Sequence, residues 1–458
     1  MTDYALSINP ATGEELARYP FQGSDAIESS LQRSASAFAT WRVTPMETRV
    51  KVLRALAARL RERSEALAKM MTLEMGKPIV QARAEVNKCA QVCEWYADNG
   101  PAVLAAQPTQ VENQQAWQEF RPLGAILAVM PWNFPYWQIL RGAAGMLLAG
   151  NTYILKHAPN VMGCATLLQE VMNSVGFPEG TFELLNVDNA GVSQLINDPR
   201  VAAVAVTGSV RAGAAIATQA GAALKKTVLE LGGSDPFIVL ADADLDEAVK
   251  AAVAGRYQNT GQVCMAAKRF IIEAPVAAEF ESRFSAAVQA LKSGDPLDEA
   301  TYLGPMARYD LRDELHQQVQ DTLNQGARLV CGGEKIAGVG NYYAPTILAD
   351  VSEEMTAFRE EIFGPVAALT VARDAEHALA LANNSEFGLS ATVWTANEAL
   401  ADHFADSLET GAVFINGYGA SDPRVTIGGV KKSGYGRELN HFGLHEFCNI
   451  QTVWRNRR

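Results

Sequence analysis

The sequence lacks a surplus of basic residues. Its 458 residues include 39 lysines and arginines against 51 aspartates and glutamates, which gives a formal net charge of −12. Because a protein dedicated to nucleic acid normally carries a basic surplus, we expect no nucleic-acid partner. A composition of 48% hydrophobic and 20% charged residues excludes a disordered chain and indicates a globular protein. The length exceeds what one hydrophobic core usually serves, so more than one domain is predicted.

Long apolar runs are also missing. The longest stretch without a charged residue lies between Arg121 and Arg141, and Pro131 and Pro135 interrupt it. A membrane-spanning helix needs about 20 mainly apolar residues, so we predict no membrane span. Residues 1–4 show no basic leader followed by an apolar block, so no export signal is predicted. With the cysteine usage described next, we expect a cytoplasmic protein.

Cysteine is scarce and scattered. Six cysteines stand at positions 89, 93, 164, 264, 331 and 448, and no CxxC pair occurs. This spacing excludes a disulfide framework and fits a reducing compartment. Cys89 and Cys93 fall on the apolar face of a helix predicted over 78–97, where we expect them to pack. A functional cysteine in this chain is therefore expected to act through its reactivity.

The common phosphate-binding fingerprints, GxGxxG and GxxxxGK followed by Ser or Thr, are absent as well. From about residue 123, short apolar runs alternate with segments of helical length, which predicts right-handed crossovers and a mostly parallel sheet. The predicted strands cover 123–130, 151–156, 182–187, 201–206, 227–230 and 237–240, and the predicted helices cover 136–149, 160–175, 189–197 and 209–221. A second alternation, from about 245 to 416, predicts another α/β domain with strands near 270–273, 328–330, 367–370 and 412–416.

Two polar motifs follow predicted strands, and in doubly wound sheets ligands bind beyond the carboxyl ends of the strands. Gly208, in Thr207-Gly208-Ser209, lets the backbone approach a ligand closely, and the helix that follows offers free N–H groups to a phosphate. Glu230 ends a strand before two glycines, where a carboxylate has room to act as a base. An ordinary strand-to-helix turn and a solvated glutamate are the alternatives.

Two further residues stand in unusual surroundings. Cys264 follows the small and polar residues Gly261 and Gln262, where a ligand can approach a thiolate nucleophile. The alternative for Cys264 is a buried structural thiol. Asn133 lies in the turn 131–135 between two prolines, which present its amide rigidly as a donor to a developing oxyanion. The alternative for Asn133 is a helix cap.

These motifs together resemble the NAD(P)-dependent aldehyde dehydrogenases. The resemblance extends over essentially the whole chain, and the motifs occur in the order in which the family has them. They are PWNFP at 131–135, Lys156, Thr207-Gly208-Ser209, ELGG at 230–233, GQVC at 261–264, EIFGP at 361–365 and KSGYGR at 432–437. The family uses a Rossmann variant without the usual glycine fingerprint, which accounts for the absence of that fingerprint here.

The resemblance implies oxidation of an aldehyde to the carboxylic acid. Cys264 would attack the aldehyde to form a thiohemiacetal, and the Asn133 amide and the backbone N–H of Cys264 would hold its oxyanion. Hydride transfer to the nicotinamide would leave a thioester, and Glu230 would activate the water that hydrolyses it. The expected catalytic residues are therefore Cys264, Glu230 and Asn133.

The resemblance also implies a cofactor site. By similarity, Lys156 binds the adenosine ribose, Ser209 the pyrophosphate and Glu361 the nicotinamide ribose, with Phe363 packed nearby. The other expected cofactor-binding residues are Trp132, Thr207, Gly208 and Leu231. NAD-specific members often carry a glutamate where this chain has Pro159. Because such a carboxylate would repel a 2′-phosphate, we expect NAD as cofactor with NADP also accepted.

We expect no metal. His441 and His445 lie near Glu446 and Cys448, but the chain contains no HExxH pattern. In some relatives a second glutamate just after Glu438 is an alternative proton relay. His441 stands at that position here, and we expect it to face solvent.

The fold class implied by the resemblance is two Rossmann-like, doubly wound α/β domains plus a small β oligomerisation ribbon. The expected cofactor-binding domain comprises residues 1–103 and 123–230, and the expected catalytic domain comprises residues 231–447. Residues 104–122 and 448–458 form the expected ribbon. Because the edge strands of this ribbon pair between subunits in the family, we expect a homodimer or a dimer of dimers.

Arg141 indicates an anionic substrate. Relatives that oxidise succinate semialdehyde carry an arginine at this spacing, where a guanidinium binds the distal carboxylate. An acidic chain needs such a local cation to bind an anion. These relatives often carry a second arginine where this chain has Gln258, and Arg424 is a candidate to replace it from the opposite wall. The alternative for Arg141 is an ion pair with an internal acid.

We therefore expect the oxidation of succinate semialdehyde to succinate. Two other functions stay open. One is the oxidation of neutral or aromatic aldehydes in a funnel formed by Phe134, Tyr136 and Trp137. The other is a non-catalytic scaffold of the same fold, against which the presence of Cys264 and Glu230 argues.

Overall fold

The computed structural model describes residues 3–112 and 114–456. Met1 and Thr2 of the expected cofactor-binding domain, and Asn113, Arg457 and Arg458 of the expected ribbon, lie outside the described residues. The described chain forms two large β-sheets with helices packed against them, a three-stranded ribbon and two small two-stranded sheets.

The helices and strands follow one another along the whole described chain. The strands are β1 (Tyr4–Ile8), β2 (Glu15–Pro20), β3 (Gln107–Thr109), β4 (Gln114–Pro122), β5 (Ala125–Val129), β6 (Thr152–Lys156), β7 (Phe182–Leu184), β8 (Val201–Thr207), β9 (Lys226–Glu230), β10 (Asp235–Val239), β11 (Ala267–Glu273), β12 (Arg328–Cys331), β13 (Thr346–Ala349), β14 (Val366–Ala372), β15 (Phe387–Gly388), β16 (Ser390–Trp394), β17 (Ala412–Ile415), β18 (Val430–Lys431), β19 (Gly434–Tyr435) and β20 (Cys448–Asn456). The α-helices are α1 (Ser24–Trp41), α2 (Met46–Glu62), α3 (Ser64–Met75), α4 (Ile79–Val103), α5 (Trp137–Ala149), α6 (Met162–Asn173), α7 (Asn189–Asn197), α8 (Val210–Ala222), α9 (Leu245–Tyr257), α10 (Ala274–Gln289), α11 (Tyr309–Asn324), α12 (Thr356–Arg359), α13 (Ala375–Asn383), α14 (Glu398–Ser407) and α15 (Asn440–Glu446). Short 3₁₀ turns cover Pro159–Val161 and Gln258–Gly261.

The first large sheet has six strands in the order β19-β9-β8-β5-β6-β7. The strands from β5 to β9 run parallel, and β19 pairs antiparallel with β9. Helices cover this sheet, so most residues of β5 and β8 are buried, and their nearly continuous apolar sequences follow from this burial. β5 and the start of α5 are buried, which accounts for much of the long uncharged run between Arg121 and Arg141.

The second large sheet has seven strands in the order β12-β13-β14-β11-β10-β16-β17. All neighbours are parallel except the β12–β13 pair at one edge. In the ribbon, β4 lies between β3 and β20, and β20 pairs along its full length with β4, from Cys448 opposite Pro122 to Asn456 opposite Gln114. The predicted architecture of two parallel α/β sheets and a β ribbon is therefore confirmed.

The structure also contains elements that we did not predict. Strands β13 and β16 complete the second sheet. β19 and α15, which fall within the expected catalytic segment 231–447, join the first sheet and pack against α5. The domain boundaries given above stay a prediction. No helix within residues 3–112 and 114–456 is both long and apolar enough to cross a membrane.

The parallel strands of the first sheet place four loops side by side. Those following β5, β6, β8 and β9 carry Asn133, Lys156, Thr207 and Glu230 at or just beyond the carboxyl ends of the strands. This is the edge at which open α/β sheets bind ligands. The fold thus brings together residues that are as many as about one hundred positions apart in the sequence.

Candidate active site

A cavity of about 810 Å³ opens between the two large sheets. Most of the expected site residues line it, namely Trp132, Asn133, Thr207, Gly208, Ser209, Leu231, Cys264, Glu361 and Phe363. Glu230 lies directly before one lining residue and is 2% exposed. Lys156 and Arg424 are not among the lining residues.

A strained turn presents Cys264 to the cavity. Asn259, Thr260 and Gly261 have φ values of 53°, 54° and 73°, so three consecutive residues occupy the left-handed region. A Cβ atom at Gly261 would lie 2.2 Å from the carbonyl oxygen of Gly364, so only glycine fits there. The turn is therefore held tightly against the loop that carries Glu361.

Arg256 fastens these two loops together. Its guanidinium is fully buried and donates hydrogen bonds to the carbonyl oxygens of Gly261 and Ile362, both at 3.2 Å, and of Gly364. Burial lowers the pKa of Arg256 to about 10, and the group stays charged at neutral pH. Backbone carbonyls from both loops thus compensate one buried cation, which couples the position of the nucleophile to that of the Glu361 loop.

The thiol of Cys264 is protonated at neutral pH. Burial raises the pKa of Cys264 to about 11, while the nearby cations of Arg141 and Lys268 act in the opposite direction. Because the thiolate is the nucleophile, attack on a substrate requires removal of this proton. A nucleophile of this kind needs a base within the same site.

Asn133 faces the segment that precedes the nucleophile. Its side-chain Nδ2 donates a hydrogen bond to the backbone carbonyl oxygen of Gln262 at 3.1 Å. The backbone carbonyl oxygen of Asn133 accepts a hydrogen bond from the side-chain amide of Asn259 at 2.8 Å. An asparagine amide carries two N–H donors, so one remains for a ligand beside Cys264. Its 3% exposure means that water competes little for that donor.

A buried ion pair supports the turn that carries Asn133. Glu85 accepts hydrogen bonds from the backbone N–H groups of Tyr136 and Trp137, each at 3.0 Å, where α5 begins. Lys77 pairs with Glu85, and its nitrogen lies 3.6 Å from the centroid of the Phe134 ring. The carboxylate satisfies backbone donors at a helix N-terminus, so the position of the turn does not depend on solvent.

Glu230 is a carboxyl group without hydrogen-bond partners among the described residues, although both its oxygens are buried. Burial raises the pKa of Glu230 to about 8, Arg141 opposes this rise, and Glu438 adds to it. The nearest guanidinium nitrogen of Arg141 is 3.9 Å from Oε2. Such a carboxyl group exchanges protons near neutral pH, as a general base must.

Glu438 is a buried acid beside the site that we did not single out from the sequence. It is 3% exposed and forms an ion pair with Arg141, which also reaches Thr207 Oγ1 at 3.4 Å. Burial raises the pKa of Glu438 as well. His441, which we placed at the alternative relay position, is exposed and bonded to Asn440. The second carboxyl group beside Glu230 therefore stands at 438, directly after the KSGYGR motif.

The helix α8 begins at the edge of the cavity with features that suit a phosphate. Ser209 caps it by accepting a hydrogen bond from Ala212 N–H at 3.3 Å, and a Cβ atom at Gly208 would meet nothing within 4 Å. A Cβ at Gly213 would lie 2.4 Å from Leu231, so the missing side chain lets α8 approach β9 closely. The free space at Gly208 and the helix N-terminus fit a dinucleotide backbone.

The opposite wall of the cavity carries Glu361. Its Oε1 accepts hydrogen bonds from Lys268 Nζ and from the backbone N–H of Gly233, both at 3.0 Å. Lys268 also donates to the carbonyl oxygen of Cys264 at 2.7 Å, so one buried ammonium ties this carboxylate to the nucleophile. Trp132 and Phe363 meet edge to face at 5.8 Å between their centroids and form an apolar part of the wall.

The remaining expected residues lie farther from the cavity. Lys156 ends β6, and burial lowers its pKa. The side chain of Arg424 is 76% exposed and pairs with Asp422 at 2.8 Å. Arg141 is 2% exposed and faces the internal acids Glu230 and Glu438. An ion pair with an internal acid is the alternative role that the sequence analysis gave for Arg141. Within residues 3–112 and 114–456, no group of three or more His, Cys, Asp or Glu side chains is arranged to hold a metal ion.

Comparison with known proteins identifies the class of protein that this fold and site define. The model of the aldehyde dehydrogenase family matches residues 2–453. The chain therefore belongs to the aldehyde dehydrogenase family, and the predicted family and fold class are confirmed.

Several named relatives are similar to this chain over nearly its full length. The chain is 68% identical over 454 residues to a protein of Escherichia coli strain K12 named succinate semialdehyde dehydrogenase NAD(P)+ Sad, with 99% of this chain and 98% of that protein covered. It is 48% identical to a Synechocystis protein named probable succinate-semialdehyde dehydrogenase NADP(+), with 98% and 99% covered. The structure of succinic semialdehyde dehydrogenase from Streptococcus pyogenes in complex with NADP+ superposes with a TM-score of 0.96 at 37% identity, covering 98% of this chain and 99% of that one.

The substitution Gly261→Ala tests the strained turn. A Cβ atom there meets a backbone oxygen and a left-handed conformation, so we expect a loss of about 1–3 kcal/mol in the free energy of unfolding. Gly221→Ala is the matched control, because that glycine lies in α8 with nothing within 4 Å of its Cβ position. The control is expected to stabilise by up to about 1 kcal/mol. Thermal unfolding measures both, and a Gly261→Ala protein as stable as the wild type would contradict the role of the turn.

Proposed function

We propose that this protein oxidises succinate semialdehyde to succinate with NAD(P)+ as the electron acceptor. The observation that carries the proposal is the meeting of a thiol, an amide donor and a buried carboxyl group, Cys264, Asn133 and Glu230, at one cavity between two sheets. The names of relatives that are 68% and 48% identical over nearly the full chain support the choice of substrate and cofactor.

The first step is attack of the Cys264 sulfur on the aldehyde carbon. Because burial raises the pKa of Cys264 to about 11, its proton must pass to a base, and Glu230 is the buried carboxyl group assigned to that role. The new C–S bond converts the carbonyl oxygen into an oxyanion. The free N–H of the Asn133 amide and the backbone N–H of Cys264 stabilise this charge in a region that excludes water.

The residues that line the cavity, with Lys156 at the end of the neighbouring strand β6, fit a dinucleotide. Ser209 and the N-terminus of α8 would hold the pyrophosphate, Lys156 the adenosine ribose and Glu361 the nicotinamide ribose, beside the apolar wall of Trp132 and Phe363. When bound, the nicotinamide supplies an acceptor for the hydride that leaves the carbon attached to Cys264. Lys268 and Gly233 orient the Glu361 carboxylate, so this end of the site is held without help from solvent.

The second step is hydrolysis of the thioester on Cys264. After the proton taken from Cys264 has passed from Glu230 to solvent, the Glu230 carboxylate removes a proton from water as the water attacks the thioester carbon. The C–S bond then breaks, succinate leaves, and the sulfur regains a proton to restore the thiol. The absence of hydrogen-bond partners for Glu230 within the described residues leaves both of its oxygens available to water.

Both NAD and NADP are expected as cofactors. No carboxylate follows Lys156 at the position of Pro159, so a 2′-phosphate meets no repulsion there. The names of relatives include NAD(P)+ and NADP(+), which supports acceptance of the phosphorylated form. Neutral aldehydes are the alternative substrates, because Arg141 and Arg424 already pair with acids of the chain.

The ribbon supports a proposal about assembly. β20 forms one of its edges and exposes Ile450 and Trp454, which are 54% and 55% exposed. An uncovered edge strand with large apolar residues favours pairing with a second copy of the chain. We therefore include a homodimer or dimer of dimers in the proposal, and we place the protein in the cytoplasm, where its six free cysteines stay reduced.

A substrate panel tests the proposed activity. We expect succinate semialdehyde to be oxidised with a higher kcat/KM than butyraldehyde, and Cys264→Ala to abolish turnover of both. In Glu230→Gln, hydrolysis is expected to be slowed by at least about 100-fold because the base is lost. Reduced nicotinamide is measured by absorbance. A wild-type enzyme that prefers butyraldehyde would overturn the choice of substrate, and activity in Cys264→Ala would overturn the mechanism.

The substitution Glu438→Gln is expected to shift the dependence of kcat on pH. Glu230 is a base only when deprotonated, so the rate rises as pH increases toward its pKa of about 8. Removing the Glu438 charge ends its contribution to that raised pKa and leaves Arg141 facing Glu230 alone. The rising limb therefore moves to lower pH. Glu62→Gln, on the exposed surface, is the control, and a limb that stays in place or moves to higher pH refutes the coupling.

Replacement of Ile450 by Asp tests the ribbon. A charge on the exposed edge of β20 opposes its contact with a second subunit, so sedimentation is expected to show a smaller species than the wild type. Leu224→Asp is the control, because Leu224 is 95% exposed on another part of the surface. An Ile450→Asp protein of unchanged mass would exclude this face as the interface.

A further inference from the structure

Three cations of the site and its surroundings are paired with acids of the chain. The pairs are Arg141–Glu438, Lys268–Glu361 and Arg424–Asp422. A cation that already faces a carboxylate attracts a second one weakly, because the first has neutralised most of its field. An anionic substrate therefore needs another cation near Cys264.

Lys88 is a candidate for this cation, because it packs on Trp137, the residue before cavity-lining Gln138. It projects from α4, is partly buried, and forms no ion pair with an acid of the described chain. Its Nζ donates a hydrogen bond to Ser421 Oγ at 2.7 Å and lies 4.2 Å from the centroid of the Trp137 ring. An ammonium has three donors, so a hydroxyl and a π face leave it with capacity for a carboxylate.

Both neighbours of Lys88 belong to segments that reach the nucleophile. Trp137 precedes Gln138, which lines the cavity and donates a hydrogen bond to Asn133 at 3.5 Å. Ser421 lies two residues after Gly419. A Cβ atom at Gly419 would lie 2.8 Å from the carbonyl oxygen of Met265, the residue after Cys264, so this loop packs closely against Met265. Lys88 thus stands where α4, the start of α5 and the loop after β17 meet, and the last two of these segments contact Asn133 and Met265 through Gln138 and Gly419.

The surroundings of Lys88 compensate its charge poorly. Burial lowers the pKa of Lys88 to about 8, and the Arg141 cation lowers it further, while Cys89, Glu85 and Asp422 act in the opposite direction. The charged form therefore still predominates at neutral pH, but it is less favoured than it would be in water. A carboxylate bound at Nζ would supply the missing compensation.

We propose that Lys88, held by the Ser421 hydroxyl and the Trp137 ring, binds the distal carboxylate of the substrate and sets the preference for an anionic aldehyde. This inference rests on the proposed function, since it requires a substrate with a carboxylate. Lys88 contacts the end of the substrate that does not react, so it determines specificity and takes no part in the chemistry at Cys264. Arg141 is then left to serve the two buried acids.

The test compares two four-carbon aldehydes that differ in one carboxylate. The ratio of kcat/KM for succinate semialdehyde to that for butyraldehyde is measured in the wild type, Lys88→Met and Lys88→Arg. We expect the ratio to fall at least ten-fold in Lys88→Met, mainly through a higher KM for the semialdehyde, and to recover largely in Lys88→Arg. Lys51→Met is the matched control: it removes one exposed lysine from α2, and its ratio is expected to equal that of the wild type.

A second measurement separates binding from turnover. Inhibition by succinate is expected to weaken in Lys88→Met and to persist in Lys51→Met, and thermal unfolding checks that both proteins fold. A wild type that prefers butyraldehyde refutes the proposed substrate itself. A wild type that prefers the semialdehyde, with an unchanged ratio in Lys88→Met, refutes only the role of Lys88. If Arg141→Met alone removes the preference, the carboxylate-binding cation is Arg141.

Discussion

The sharing of one buried guanidinium between two carboxyl groups is the interaction on which the site depends. Arg141 comes from α5, Glu230 from the end of β9, and Glu438 from the segment after β19. Burying three ionisable groups is costly unless they compensate one another, so these parts of the chain must come together. This requirement explains why the chain returns to the first sheet after completing the second.

The same interaction sets the chemistry of the base. An isolated carboxyl group buried as deeply as Glu230 would stay neutral over the whole physiological range, and one fully paired with an arginine would be a weak base. The Arg141 guanidinium lies 3.9 Å from Glu230 and also pairs with Glu438, so it stabilises the Glu230 carboxylate only in part. The pKa of Glu230 is therefore about 8. In the proposed mechanism, the second acid would therefore influence the reaction through the pKa of Glu230, without touching the substrate.

On the other side of the nucleophile, buried cations perform a related task. Arg256 and Lys268 bind backbone carbonyls from the turn of Cys264, and they also reach the loop or the carboxylate of Glu361. Each cation is compensated by groups from two segments, so neither segment can move without exposing a charge that burial has made expensive. The turn of Cys264 and the Glu361 side of the cavity are consequently held together as one unit.

Local signals in the sequence were enough to find the strand-end residues but not the residues that tune them. Asn133, Thr207 and Glu230 stand where apolar runs end, and parallel strands bring those ends together by rule. Glu438 forms an ion pair with Arg141, about 300 residues away in the sequence. No hydrophobic periodicity predicts such a contact. The buried strands β13 and β16, of four and five residues, were also missed, although other strands of that length were predicted.

The net charge of the chain gives the local cations their importance. At −12, the overall field repels an anionic substrate, and ionic strength screens that repulsion only beyond about 8–10 Å. Within that distance the outcome depends on single side chains, and a cation already bound to an acid contributes almost no net field. Selection for an anion therefore depends less on how many arginines surround the site than on which cation is left without an internal partner. In the described chain, Lys88 meets that condition while Arg141, Lys268 and Arg424 do not.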